Sequence, residues 1–426
     1  MNDDYDAVIV GSGLAGCTAA ILLGRTGLRV ALLEAHRDPK TYKRLCTSSI
    51  RSSALPTMRR IGLDKLIEDA GGVPARDAYS TPYGWLRTPL QPDRPPHGYN
   101  IRRQTLDPLV RAAAAEVAQV DLILGAKVRE LTRDHTGRID GVVARIDGAD
   151  RRFGARLVIG ADGRATKVAE LAGLSAHLSE NCRACVFAYY RNVQVPEDGS
   201  LSVWLKMPEI VSVGAMDDGH AILAGLLSKQ QYAEAEDKEA ALLASYAGLP
   251  DVPDLSQAER TSDVIGYRDY PSITRWRITA PGVALVGDAA MSADPAEGAG
   301  LGWALQTAEW LSDAVAKPLA AGTFAEIDAA ARRYQRLHRI RLLPHQLQIV
   351  DLSRRPNLSL LMKFMLSAAV QDRWVGAWVT KAVSRNSSMF TAVHPVFLAR
   401  ATVAALRSRR ARRSSVTSAA KVRLSS

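Results

Sequence analysis

Four apolar residues, 7–10, lead into the stretch Gly11-Ser-Gly-Leu-Ala-Gly16. From position 14 to 25 apolar residues recur at helical spacing and stop before Gly27, and a second apolar run, 30–33, delivers Glu34. A short apolar run bounded by turn residues reads as a buried strand, and a 3.6-residue period closed by glycine reads as a helix. The pattern predicts a complete βαβ unit. Residues 127–133, 139–146 and 152–159 alternate or run apolar, with His-Thr-Gly and Asp-Gly-Ala-Asp between them, which predicts a three-stranded meander. The stretch from about 184 to 226 is strand-like again, in Val186-Phe-Ala-Tyr-Tyr190, Leu201-Ser-Val-Trp-Leu205 and Ala221-Ile-Leu-Ala-Gly225, and predicts a separate sheet. Residues 282–286 read as a buried strand entering Gly287-Asp288, 301–315 as a helix, and 324–383 as further helices; there is no internal repeat.

Each glycine of the first turn has its own task. Gly11 permits the tight turn, Gly13 lets the backbone approach a pyrophosphate, and Gly16 lets the helix pack closely on the strand. The phosphates then sit at the positive helix N-terminus, where Leu14 and Ala15 begin the first turn. Glu34, 23 positions after Gly11, stands where an acid accepts hydrogen bonds from ribose hydroxyls. This motif alone does not separate NAD from FAD.

Two later segments do. Leu157-Val-Ile-Gly-Ala-Asp162-Gly163-Arg-Ala-Thr-Lys-Val168 resembles the Gly-Ala-Asp-Gly segment of flavin monooxygenases of the para-hydroxybenzoate hydroxylase type. Val283-Ala-Leu-Val-Gly287-Asp288-Ala-Ala290 resembles their Gly-Asp segment, whose aspartate binds the flavin ribityl chain, and Asp294-Pro295-Ala-Glu-Gly298-Ala-Gly300-Leu301-Gly302 resembles their loop beside the isoalloxazine ring. Glycines at the start of the 301–315 helix aim backbone N–H groups at a ligand edge, where an anionic reduced flavin is stabilised. Arg102-Arg103-Gln-Thr-Leu106-Asp107 resembles the family's Arg-x-x-Leu segment, with Arg103 in better register than Arg102. The resemblance spans about the first three quarters of the chain. It implies an α/β fold: a glutathione-reductase-type FAD-binding Rossmann domain, an inserted β-sheet substrate domain and a C-terminal helical region.

The departures from that family also count. Thr166 stands where Ser is common and Ala169 where Arg is usual, in a segment associated with pyridine-nucleotide use, so NAD(P)H is expected to supply electrons either directly or through a separate flavin reductase. Tyr42-Lys-Arg-Leu-Cys46 resembles the Lys-x-x-Cys region of geranylgeranyl-reductase-like flavoproteins, which share the fold and reduce carbon–carbon double bonds. Flavin halogenases carry a Trp-x-Trp-x-Ile-Pro segment and a lysine between the first two cofactor motifs; this chain has no such segment and no lysine between Lys65 and Lys127. A Gly-x-Ser-x-Gly elbow is also absent, which excludes that route to hydrolysis.

Cys182-Arg-Ala-Cys185 has dithiol or half-zinc-site spacing, but no second pair completes a four-cysteine site and the segment leads into a strand, so packed thiols are expected. The eight histidines are scattered without metal-ligand spacing, and no metal or catalytic residue is assigned. Tyr79, Tyr83, Trp85, Tyr189, Tyr190 and Trp204 fall in the segments expected to form the substrate domain, as core or as cavity lining.

Charge changes the picture only at the end of the chain. The formal net charge is +11, yet from Arg373 onward there are eleven Lys/Arg and no Asp/Glu, so residues 1–372 sum to zero. A neutral body excludes a nucleic-acid footprint, and the Arg407 to Arg413 cluster with its Ser-rich continuation reads as a basic tail. The apolar stretch 389–406, interrupted by Pro395, packs on the body or lies in a membrane interface. No apolar run reaches the ~20 residues of a membrane span. The acidic N-terminus and four cysteines lead to a cytoplasmic expectation.

The expected organisation is a discontinuous FAD domain (1–74, 100–176, 260–322), a substrate domain (75–99, 177–259), C-terminal helices (323–390) and a basic tail (391–426). The implied reaction is insertion of one oxygen atom from O2 into an organic substrate, aromatic or polyketide-like, through a flavin hydroperoxide. The alternative is reduction or dehydrogenation of a prenyl or other lipophilic substrate. Partners are then a small organic molecule, O2, a flavin reductase and, through the C-terminus, a membrane surface.

Overall fold

The structure, a computed structural model, describes residues 3–87, 98–195, 200–387 and 394–408. The chain divides into two compact units: Met1–Val73, Gly98–Asn181 and Tyr270–Val350 form the first, and Pro74–His97, Cys182–Asp269 and Asp351–Ser426 the second.

The first unit is built on a parallel sheet. Its strands run in the order Val283–Leu285, Ala149–Gly160, Asp3–Val10, Val30–Glu34 and Val120–Leu124, each parallel to its neighbours. Continuous apolar runs form these strands because both faces are covered. Ile9, Leu32 and Ile159 are fully buried, each contributing about 1.5–3 kcal/mol of burial. Residues 127–133, 139–146 and 149–160 form the antiparallel meander, and the last strand of the meander continues into the parallel sheet. The helix Leu14–Gly24 is buried along its whole length, against the helices Gly300–Ala321 and Arg103–Ala115. This explains why its composition is apolar all round instead of striped. The helix Phe324–Arg354 belongs to this unit as far as Val350.

The second unit holds a mostly antiparallel sheet in the order Glu259–Arg260, Arg183–Arg191, Ala221–Ser228, Glu209–Ala215, Ser200–Lys206 and Val73–Thr81. The sequence pattern predicts three of these six strands and gives no signal for the two-residue strand Glu259–Arg260. It missed Val73–Thr81, where Pro74 and charged residues break the apolar run, and Glu209–Ala215, a short strand entered through Pro208. The helices Leu360–Gln371 and Arg373–Val383 pack on the strand Gly84–Arg87, and a further helix runs over 395–408. Residues 391–393 and 409–426 of the expected basic tail lie outside the described residues. Among the described residues no helix is long and apolar enough to cross a membrane.

Candidate functional site

Sheet register brings the three glycine-rich segments together. Val10, Gly160 and Leu285 lie side by side at the carboxyl ends of adjacent parallel strands, so Gly11, Ala161-Asp162 and Val286-Gly287 all emerge at one level. Chain order reverses between the strands ending at Val10 and Gly160, and in open α/β sheets such a switch point opens a crevice that takes a ligand. Direct bonds fix the level: Ala161 N–H donates to Val10 O at 2.8 Å and Val286 N–H to Gly160 O at 2.9 Å.

The glycines divide by what requires them. Gly11 has φ +103°, and a Cβ there would lie 2.5 Å from Ala161 O. A Cβ on Gly16 would lie 1.8 Å from Gly11 O. Both are demanded by the fold. Gly13 differs: its φ of −72° and ψ of −178° suit any residue, and among the described residues an added Cβ would meet nothing within 4 Å. It caps the helix Leu14–Gly24 without a side-chain bond, leaving the first-turn N–H groups of Leu14 and Ala15 beside open space. Such a cradle fits a phosphate group. Gly287 closes the other side, since a Cβ on it would sit 2.9 Å from the Ala15 Cβ.

Around this cradle lies a charged network that sequence spacing did not reveal. Ser12 donates its backbone N–H and its hydroxyl to Glu34 Oε2 at 3.1 and 2.6 Å, and His36 N–H donates to Oε1 at 2.9 Å. Burial works to raise the Glu34 carboxyl, but these bonds and the Arg111 guanidinium outweigh it and hold the group below the usual carboxylate range. Arg111 donates to Ser12 Oγ at 2.8 Å and to Pro39 O. Three hydrogen bonds leave the ionised carboxylate capacity for a fourth donor, such as a hydroxyl.

Asp288 does not stand free. Lys43 Nζ lies 2.6 Å from its Oδ2, and although burial opposes the ammonium charge, Asp288 and then Tyr270 raise the Lys43 pKa above its ordinary value. Arg103 grips Asp107 with two bonds of 2.7 and 2.8 Å, while Lys43 N–H donates to the same carboxylate at 2.9 Å. Cys46 stands beside Arg103. Lys43, Cys46, Arg103 and Asp288, drawn from three distant stretches of sequence, thus form one cluster. Its chain partner Arg102 is the residue before the Arg103 helix and caps it without a side-chain bond.

Asp162 accepts from the N–H groups of Lys167 and Val168 at 2.6 and 3.1 Å, capping the short helix that Thr166 also caps. Its other oxygen, Oδ1, is buried and takes no hydrogen bond from the described residues. Next to Gly163, Arg164 donates to Ser292 Oγ at 2.9 Å and to Pro271 O at 2.6 Å, with Tyr270 stacked 3.8 Å below its guanidinium.

Pro295 begins a short 3-10 turn that Gly298 closes before the helix starts at Gly300 with Leu301 buried; the Cβ position of Gly300 is 3.9 Å from Asp288 Oδ1. Behind this turn lies a buried pair, His345 Nε2 and Glu297 Oε2, 2.7 Å apart, with Gln348 on the other carboxylate oxygen and Trp303 edge-on to the imidazole at 5.8 Å. Arg51 donates to Glu297 O through both Nε, at 2.8 Å, and Nη2. The partners are 48 residues apart, so no local spacing signals them.

Other expectations resolve as core. Trp204 is 1% exposed, donates to Pro250 O at 2.8 Å and packs edge-on against Trp85 and Tyr246. Tyr190 bonds Glu239 and Tyr189 packs on Phe187. All four cysteines are free thiols, with Cys17 and Cys185 buried. Among the described residues no group of three or more His, Cys, Asp or Glu is arranged to hold a metal ion.

The family model described as "FAD binding domain" matches residues 4–337. Among curated relatives, menaquinone reductase of Mycolicibacterium smegmatis is 26% identical over 335 residues, 72% of this chain and 75% of that protein. Digeranylgeranylglycerophospholipid reductase 1 of Methanococcoides burtonii is 26% identical, over 76% and 78% of the two chains. Kynurenine 3-monooxygenase of Xanthomonas oryzae pv. oryzae is 25% identical, over 86% and 84%. A flavoprotein/dehydrogenase from Cytophaga hutchinsonii superposes with a TM-score of 0.75 at 14% identity, covering 95% of this chain and 99% of that one. The myxobacterial chondrochloren halogenase superposes at 0.70 and 19%, covering 95% and 97%. These two establish likeness of fold alone.

Proposed function

The chain belongs to the FAD binding domain family, and from that premise we propose that it is an FAD-dependent monooxygenase acting on a small organic substrate. The observation that carries the reading is the convergence of three distant loops on one sheet edge, around a glycine that the protein itself does not require.

Bound FAD supplies the redox chemistry, taking electrons from NAD(P)H and delivering them to O2. The chain's own residues hold it. Gly13, Leu14 and Ala15 receive the pyrophosphate on backbone N–H groups, with Gly11 and Gly16 shaping the turn, and ionised Glu34 accepts from a ribose hydroxyl. Gly287 and Asp288 take the ribityl chain, with Lys43 keeping the Asp288 carboxylate paired. Asp162, whose buried Oδ1 takes no hydrogen bond from the described residues, and Gly163 lie beside the cofactor crevice. Pro295, Gly298, Gly300 and Leu301 form the edge beside the redox-active ring, and Arg103 faces it. One oxygen atom of O2 enters the substrate and the other leaves as water, with two electrons and one proton drawn from NAD(P)H and a second proton from solvent. The donor acts directly or through a flavin reductase. We assign substrate recognition to the sheet of the second unit, take an aromatic or polyketide-like compound as the substrate class, and place the enzyme in the cytoplasm.

Reconstitution with FAD followed by oxygen uptake in a panel of aromatic compounds tests the reading. Substrate-dependent uptake with isotopic label from O2 in the product is expected. Turnover that proceeds without oxygen would instead support a second reading, favoured by the placement of Lys43 and Cys46 beside Arg103 and Asp288: reduction of a prenyl or other lipophilic substrate.

A further inference from the structure

The helix over 395–408 carries two apolar stripes. Phe397, Ala401, Ala404, Ala405 and Ser408 are buried. Their side dictates how the helix packs: the Phe397 ring lies 4.4 Å from Trp378 and 5.8 Å from Trp374, and Arg400 donates to Asp372 at 2.8 Å. Val396, Ala399, Val403 and Leu406 recur at spacings of three and four, on the roughly opposite side of a helix with 3.6 residues per turn. They are exposed, Val396 by 60%, Val403 by 50% and Leu406 by 52%. A surface helix needs only one apolar stripe to pack on its own body. The second stripe is therefore left for something else.

Charge identifies the occupant. Arg407 borders the exposed stripe while Arg400 is held by Asp372, and from Arg373 to the end the chain holds eleven Lys/Arg and no Asp/Glu. A second copy of this chain would bring the same positive charge against it. A nucleic acid would satisfy the arginines and leave the valines and leucine in water. A surface that is anionic outside and apolar just beneath satisfies both. The helix is 14 residues long, too short to span a bilayer and suited to lying in its interface.

We propose that this helix docks the enzyme on an anionic lipid surface, with Val396, Val403 and Leu406 inserted among acyl chains and Arg407 on the headgroups. The proposal is independent of the reaction assigned above, because vesicle binding is measured without turnover.

The test is co-sedimentation of the FAD-loaded full chain with phosphatidylcholine vesicles, with and without phosphatidylglycerol. Binding is expected only with the anionic lipid. Val403→Asp with Leu406→Asp, both at exposed positions, is expected to weaken it about 10- to 100-fold, since a charge in the inserted face opposes burial. Val403→Ser with Leu406→Ser, the milder pair, should weaken it less while melting at the wild-type temperature. The proposal is overturned by equal binding to both vesicle types or to neither, by wild-type binding of the Asp pair, or by transfer of the effect to self-association or to DNA.

Discussion

Gly13→Ala tests whether a glycine the fold does not require is the one the proposed cofactor does. The added methyl meets no described atom within 4 Å, and φ −72° with ψ −178° is ordinary extended backbone. Two small stability effects oppose each other. Alanine narrows the unfolded ensemble, which favours folding by about 0.4–1 kcal/mol where the backbone is compatible. Alanine is also the poorer N-cap, which costs up to about 1 kcal/mol. The apo protein should therefore melt within a few degrees of wild type.

FAD binding should not survive so well. The methyl projects into the space where a pyrophosphate would meet the N–H groups of Leu14 and Ala15, and each charged-group hydrogen bond lost is worth about 1.5–3 kcal/mol. At 1.4 kcal/mol per factor of ten, one such bond weakens FAD about 10- to 150-fold. Quenching of flavin fluorescence on titration gives the affinity, and a thermal melt of the apo protein gives the stability. Gly16→Ala is the contrast: its Cβ would sit 1.8 Å from the Gly11 carbonyl oxygen, so it should fail to fold or lose several kcal/mol. Wild-type FAD affinity in a folded Gly13→Ala protein would refute the placement of the pyrophosphate.

Three further outcomes follow from the polar network. Arg103→Met strands the buried Asp107 carboxylate and should cost about 3–5 kcal/mol in a denaturant titration, whereas adding Asp107→Leu should restore most of it; a double variant as unstable as the single would contradict the pairing. Glu34 has a folded-state pKa below its unfolded value of about 4.3, so its contribution is present above that pH and lost as pH falls through the lower folded value. Glu34→Gln should therefore flatten the acid limb of Tm against pH, and an unchanged slope below about pH 4 would tell against it. His345→Leu removes the partner of Glu297 and should cost about 1.5–3 kcal/mol, with Glu297→Gln costing less because the acceptor oxygen stays; equal losses in denaturant titrations would count against the pair.

The parallel sheet, the meander and the principal helices were legible because their signals are local. Residues 7–10 had to be a buried strand once Gly11 and Gly13 followed, and the same holds for residues 283–285 before Gly287. Turn chemistry and apolar period act within ten residues of each other. Strands whose sequence conflicts with their state were lost: Val73–Thr81 carries Pro74, Arg76 and Asp77, and only its neighbours in the sheet make it extended. The aromatic residues of the second unit could be read as lining or as core from sequence, and packing decided for core at Trp204, where Trp85 and Tyr246 close on either side.

The polar groups were the least legible part of the site, and the reason bears on function. A phosphate cradle is made of backbone, so its requirements appear as glycines at fixed spacing. Lys43 against Asp288 and His345 against Glu297 are made by side chains 245 and 48 residues apart, and nothing in the spacing announces them. Cradle residues are also what oxygenases and reductases of one fold have in common, since both must hold the same cofactor. Discrimination between the two reactions must then come from groups that set charge and access near the redox-active ring. With the ring beside the Pro295–Leu301 turn, as proposed, those would be the side chains the fold assembles from afar: Lys43, Cys46, Arg103 and the Glu297–His345 pair.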